Sequence, residues 1–505
     1  TPPQWLASVT HTRTDGPRIY ARQEATSVFA RGDAEWAGTT WRVLASGYDM
    51  PLAENPGALT AAELERDVRL PDSLNITRGA GKTVRHAQLG VVAERGSADD
   101  GLAAAAWLGT RQLDNPLAFA VVDVDRTNAG MWLRGTRTHR WAGLPVRVSA
   151  GLDVQSVGDD RRNLANCVGQ AVSATCPTAG ATSGAVRLDQ REVVQSEGAF
   201  VRYELSVPRR LDVSAALRWD QVRFRLIDRF LTDGRDDSGE EGQTAVNPMV
   251  GVVWRARPTW SLYATANSAF ETPTVTELTT QADGTAGLNG TLSPQRTRTV
   301  ELGARGLLGT RTWFDVALFD ARSRDELVPF DVPDQPGRRA FRNAGRTTRR
   351  GAEALVRTQV PLGTQWLADA GVSATFGRYR FVDYTVGGTS FAGNVVPGSP
   401  SQQWQGWVTL RRAGWFGTVD VSAASDIVVD DAGSARAPGW QAVNLRVGHE
   451  GVRLRSGWRV APVAGVENLT DARYASAVLV NATRGRFFEP APPRSAFVGL
   501  RVLHD

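Results

Sequence analysis

The stretch Val146-Arg147-Val148-Ser149-Ala150-Gly151-Leu152-Asp153-Val154-Gln155 alternates apolar and polar residues. Successive side chains of a strand point to opposite faces. A period of two therefore puts Val146, Val148, Ala150, Leu152 and Val154 on one face, and Arg147, Ser149, Gly151, Asp153 and Gln155 on the other. The pattern returns in Leu211, Val213, Ala215, Leu217 and Trp219, set against Asp212, Ser214, Ala216, Arg218 and Asp220. It returns again over residues 199–207, with Arg202, Glu204 and Ser206 on the polar face, and more briefly over 87–93, 314–318 and 443–447. These runs reach roughly ten residues, against about five or six for strands of soluble proteins. About ten tilted residues cross the hydrocarbon core of a bilayer. Charges in mid-strand suit a wide barrel, which turns one face to lipid and the other to a wet lumen.

The connections alternate between short and long. Short ones fall near 34–38, 96–101, 208–210, 308–310 and 412–415. Long ones fall at 51–81, 159–193, 228–244, 270–295, 325–349 and 470–494. An antiparallel barrel has this asymmetry, with tight turns at one end and long loops at the other. The expected fold is therefore all-β: one large antiparallel transmembrane barrel of about 20 strands, occupying residues 1–505 as a single domain. Aromatic residues flank the turns at Trp36 and Trp41, Trp254 and Trp260, and Trp415 and Phe416, as interfacial girdles do.

Composition narrows the function classes. The 505 residues include 51 Gly and 16 Trp, charged residues make up 22%, and the formal net charge is +5. Lys82 is the only lysine. A genome biased toward Arg, Ala and Gly accounts for that, and an arginine-rich lumen attracting anions is the functional alternative. The arginines are spread along the chain without a basic run, which argues against nucleic acid as a partner. No apolar run approaches the roughly 18 residues of a membrane helix. His11, His86, His139, His449 and His504 are scattered, and none sits in a Ser-rich or acidic motif, so neither catalytic residues nor a metal site nor a cofactor is expected. Cys167 and Cys176 lie in one polar stretch. Their short spacing suits a disulfide in an oxidising compartment rather than a metal site, which needs more ligands nearby.

Several segments resemble TonB-dependent outer-membrane receptors, in particular the ferric-siderophore type. Phe270-Glu271-Thr272-Pro273-Thr274 with Glu277-Leu278 is similar to the family's "tPt..EL" loop. It leads into Leu292-Ser293-Pro294-Gln295-Arg296 and Glu301-Leu302-Gly303, with Gln at 295 where Glu is commoner. Arg342-Asn343-Ala344-Gly345-Arg346 with Gly351-Ala352-Glu353 resembles the strand entry "N.G….GvE". Gly393-Asn394-Val395-Val396-Pro397-Gly398-Ser399-Pro400 resembles "GN.lPg.P", and Val466-Glu467-Asn468-Leu469-Thr470-Asp471-Ala472-Arg473-Tyr474 resembles "v.NL.D.rY". The segment from Gly485-Arg486-Phe487-Phe488 to Val498-Gly499-Leu500 is similar to the closing loop and strand. The pieces keep the family's order over roughly residues 245–503.

The resemblance implies a barrel of about 22 strands with a plug folded inside it. The plug and first strands are expected to be missing from this chain, which also ends on Val502-Leu503-His504-Asp505 rather than on an aromatic residue. The turns would be periplasmic and the loops extracellular. The implied function is TonB-dependent import of a ferric siderophore across the bacterial outer membrane. The alternatives are cobalamin, a saccharide, a metal chelate, or the passive conduction of a porin. The implied partners are the ligand, the lipid bilayer and the TonB complex acting through the plug, and the implied oligomeric state is a monomer. Ligand contacts are expected from Phe270, Arg342, Arg346, Arg486, Phe487 and Phe488, since arginine and aromatic groups suit anionic and aromatic chelates.

Overall fold

The computed structural model describes residues 3–208, 210–283, 287–332, 338–454 and 457–504. Twenty long strands dominate it. The first are β1 Gln4–Thr14, β2 Gln23–Trp36, β3 Thr39–Glu54, β4 Gly81–Gly96, β5 Gly101–Pro116, β6 Ala120–Trp141 and β7 Leu144–Asn166. Next come β8 Ser183–Val207, β9 Leu211–Asp228, β10 Gly239–Arg257, β11 Trp260–Glu271, β12 Gln295–Leu308, β13 Thr312–Asp331 and β14 Arg339–Leu362. The last are β15 Trp366–Asp383, β16 Gln402–Arg412, β17 Trp415–Ala424, β18 Trp440–His449, β19 Trp458–Glu467 and β20 Ser495–His504. Each pairs antiparallel with the next in a single sheet. Among the described residues no ladder joins β1 to β20, and Trp5 and Val498 on these two edges are 83% and 87% exposed. No helix among the described residues is long and apolar enough to cross a membrane; the strands do the crossing.

The turns at one end are tight. Ala37-Gly38, Ala142-Gly143 and Ala413-Gly414 each place two consecutive residues at positive φ. That is the backbone of a type I′ hairpin, whose twist matches the strands it joins, and glycine at the second position makes it accessible. At the other end two expected loops are shorter than the sequence implied. The ladder continues as Asp159↔Glu192 and Asp160↔Arg191, so 159–193 shrinks to a loop over 167–182. Likewise β13 and β14 stay paired to Asp331↔Arg339. Above the bilayer both faces of a strand are polar, so the period-two signal fades while the hydrogen-bonded ladder persists. The connection between β5 and β6, residues 117–119, is short although it lies at the long-loop end.

Register fixes the faces. Leu302↔Leu318 and Leu318↔Ala352 lie on one side, and Glu301↔Phe319 lies on the other. The first face carries the exposed apolar residues, among them Leu152, Leu217, Leu302 and Leu318, and is the lipid face. Near the tight turns Trp36, Trp41, Trp141, Trp254, Trp366, Trp415 and Trp458 all fall on it. At the opposite margin Phe376 and Trp404 meet edge to face at 4.9 Å. Two aromatic belts thus bracket the apolar band. The larger buried clusters lie not in the wall but among the long loops and the strand tips they cover.

Candidate functional site

The inward face is a mosaic of ion pairs. Asp33 accepts from Arg31 at 2.5 Å and Arg42 at 2.7 Å. Glu204 accepts from Arg147 and from Arg202, both at 2.7 Å. Arg218 donates to Asp153 and to Asp220, each at 2.8 Å. Arg126 grips both oxygens of Asp159 at 2.7 Å. Period-two alternation places these residues in register, so each arginine lies against a carboxylate on its own or a neighbouring strand. Where both partners reach solvent, such pairs contribute roughly 0–1 kcal/mol each. Their consequence is a polar lining for a wide lumen. Gly303 belongs to this face. A Cβ there would lie 2.3 Å from the Tyr263 ring, so the missing side chain makes room for the tyrosine.

At the mouth the loops interlock. Residues 55–80, 425–439 and 468–494 share one core built on Leu59, Val429 and Phe488. Leu59 and Phe488 exchange both backbone hydrogen bonds, at 2.7 and 3.1 Å. Helix α1 (Ala61–Arg66) starts with a capping box between Thr60 and Glu63, and α2 (Ser73–Thr77) is capped by Asp72. Asn481 ties three segments together. Its amide donates to Pro329 O at 3.0 Å, its side-chain oxygen accepts from the Asp431 N–H at 3.0 Å, and its backbone N–H donates to Val429 O at 2.9 Å. Tyr384 donates to Asp431 at 2.9 Å within a second core that includes Val328 and Phe381. Burial pushes both the Asp431 carboxyl and the Tyr384 phenol above their ordinary ranges. At the top of the β7–β8 wall, burial likewise raises Glu192, against the pull of the nearby Arg161.

A family model described as "TonB dependent receptor-like, beta-barrel" matches residues 10–469. The chain belongs to the TonB-dependent receptor barrel family. Three solved structures show the same architecture. The ferric citrate transporter FecA, unliganded, superposes with a TM-score of 0.78 at 16% identity, over 99% of this chain and 73% of that one. The siderophore receptor PiuA from Acinetobacter baumannii gives 0.77 at 13%, over 99% and 77%. The copper transporter OprC gives 0.74 at 16%, over 99% and 75%. At these identities the likeness is one of fold. The family consists of outer-membrane receptors and transporters, not enzymes.

Placed on this receptor barrel, the family-like segments prove to be stitches between loops. Pro273 is fully buried. Thr274 and Glu277 form the capping box of α3 (Val275–Thr279), and Leu278 anchors a core with Phe224 and Leu292. Asn343 exchanges two hydrogen bonds of 2.9 Å with the Ser293 backbone, joining two of the motifs directly. Asn468, in the left-handed region at φ 50°, donates to Ala472 O and Pro492 O and accepts from the Ala472 N–H.

The six expected contact residues are dispersed. Arg486 donates to Ala58 O at 2.8 Å, to both oxygens of Glu63 at 3.0 and 3.1 Å, and lies 3.1 Å from Asp72. It clamps the last loop onto residues 55–80. Phe488 lies in that loop core and Phe487 packs beside it, 5.9 Å away between ring centroids. Arg342 stacks over Phe330 at 3.8 Å. Arg346, 3.7 Å from Asp383, and Phe270 lie on the outward face of the wall. Cys167 and Cys176 are bonded to each other and buried. Sequence reading passed over Leu59, Tyr384, Asp431 and Asn481, because nothing local in their neighbourhoods announces a partner hundreds of residues or another loop away.

Proposed function

We propose that this receptor imports a ferric siderophore across the outer membrane, powered by TonB through a plug domain outside residues 1–505. The observation that carries the reading is a wide, charge-lined lumen under a ring of loops stitched into common cores. Such a mouth holds a bulky polar ligand while the pore below remains gated. Ferric citrate, ferric-catecholate and ferric yersiniabactin receptors stand among the structural neighbours, which supports an iron chelate. The unpaired edges of β1 and β20 support two further strands closing the wall. Of the residues named from sequence, Arg342 and Phe487 at the mouth are the proposed ligand contacts.

The test is binding and uptake by the complete receptor. Tryptophan fluorescence is titrated with a panel of ferric siderophores, and iron-55 uptake is followed in cells with and without TonB. Tight binding of at least one chelate and TonB-dependent uptake are expected. A receptor that ignores every ferric siderophore but binds cobalamin, a saccharide or a copper chelate would replace the ligand. The copper transporter among the neighbours is the observation that keeps this second reading in view. Uptake unchanged by loss of TonB would leave a passive pore.

A further inference from the structure

The outward face of β11 to β15 changes character just above the apolar band. Two residues beyond Val300 on β12 stands Arg298, and two beyond Phe376 on β15 stands Arg378. Register then sets arginine against arginine. Arg296 pairs with Arg324, which pairs in turn with Arg346; Arg298 pairs with Arg322; Arg350 pairs with Arg378. Like charges directly opposite each other across a ladder are destabilising unless something neutralises them. Asp320, at 2.8 Å from Arg322 and 2.7 Å from Arg350, and Asp383 beside Arg346 are the carboxylates that engage this face. Among the described residues no carboxylate lies within ion-pair distance of Arg298, Arg324 or Arg378. All three are exposed.

On β7 and β9, by contrast, outward arginines face carboxylates. Arg162 meets Asp123 at 2.6 Å, Arg223 meets Glu197 at 3.4 Å, and Arg225 meets Glu240 at 3.0 Å. Among the described residues the run of outward arginine facing arginine is confined to one sector. That sector sits where a lipid headgroup lies, with its acyl chains alongside Val300, Leu302 and Leu318 below. Guanidinium groups bind phosphate oxygens in paired hydrogen bonds, and a row of them fits a headgroup with more than one phosphate. We propose that this face binds a phosphate-bearing lipid of the outer leaflet. Arg298, Arg322 and Arg324 are its central contacts, and Asp320 tempers their charge. Arg346 belongs to this surface rather than to the mouth. The site is independent of the imported ligand.

The complete receptor is reconstituted in phosphatidylcholine nanodiscs doped with a bis-phosphorylated glucosamine lipid, or with the same lipid stripped of phosphate. Lipid retention on release is read by native mass spectrometry. The phosphorylated lipid is expected to stay bound and the stripped one to leave. Each arginine contributes about fivefold to such binding. Arg298→Gln with Arg322→Gln and Arg324→Gln should therefore weaken it roughly 100-fold. Asp320→Asn should strengthen it severalfold, a gain that no folding defect produces. Arg223→Gln with Arg225→Gln, in the balanced sector, should change nothing. Equal retention of the stripped lipid, or an unaltered triple variant, overturns the proposal. So does an equal loss in the balanced-sector variant, or displacement of the lipid by inorganic phosphate at matched concentration.

Discussion

Arg486 stands at a crossing of loops, bound to Glu63 and Asp72 and to the backbone of Ala58. Removing one partner of a half-buried, hydrogen-bonded ion pair leaves polar groups unsatisfied, at a cost of roughly 1–3 kcal/mol. Arg486→Ala is therefore expected to release residues 55–80 and 468–494 together, seen as faster hydrogen exchange in both. Unchanged protection would mean that the Leu59–Phe488 core alone holds them. Arg486→Lys should rescue little, since an ammonium cannot repeat the forked geometry. Asp431 makes a pH prediction. Burial raises its folded pKa above the unfolded value, so its stabilising contribution is complete below the ordinary carboxylate range. That contribution is lost as pH rises through the folded pKa. Proteolysis within residues 425–439 should accordingly quicken as pH rises through that value. Asp431→Asn, which stays neutral, should flatten the dependence. Neither role was legible in the sequence: Arg486 reads there as a loop cation expected to contact the ligand, and its partners lie more than 400 positions away.

At the scale of elements, the loop over 167–182 is closed by its disulfide, with Cys167 and Cys176 packed against Ala165, and by backbone hydrogen bonds from Cys167 N–H to Thr182 O at 3.0 Å and from Ala185 N–H to Thr175 O at 2.9 Å. A loop of about ten residues gains roughly 3 kcal/mol from such a link. Replacing both cysteines with serine should open this loop to protease. The barrel's unfolding temperature should stay put, because the β7–β8 ladder below is independent of it. Strands were readable where lipid imposes alternation. The extensions of β7, β8, β13 and β14 were not, because water on both faces removes the pattern. The same physics made the tight turns easy to find and hid the Ala-Gly type I′ backbone within them. Alanine is not the residue that usually marks such a turn.

For the whole molecule, the decisive feature is the seam. The edges β1 and β20 present unpaired backbone groups and outward apolar side chains, and exposed edges recruit other strands. Residues 1–505 refolded alone are expected to self-associate, and the complete receptor to run as a monomer; analytical ultracentrifugation distinguishes the two. A monodisperse monomer of the isolated segment would mean that the seam is closed in some other way. The arginine sector over β11 to β15 belongs to this scale as well. Seven of its side chains come from four strands, and only the register between neighbouring strands lines them up.

The alternating run at 146–155 by itself determined a long strand with a lipid face and a polar face, and its recurrence determined an antiparallel barrel. That follows because a bilayer acts on every strand independently, through local period. Family-like segments such as Thr274 to Leu278 were legible too, as caps and turns whose partners are three or four residues off. What only the tertiary structure decided is which distant residues meet. Arg346, named from sequence as a ligand contact, lies outside the wall because register assigns its face. Phe488 is sealed into a loop core because residues 55–80 and 425–439 fold over it. Those outcomes depend on strand register and on contacts between loops, and no local pattern encodes either.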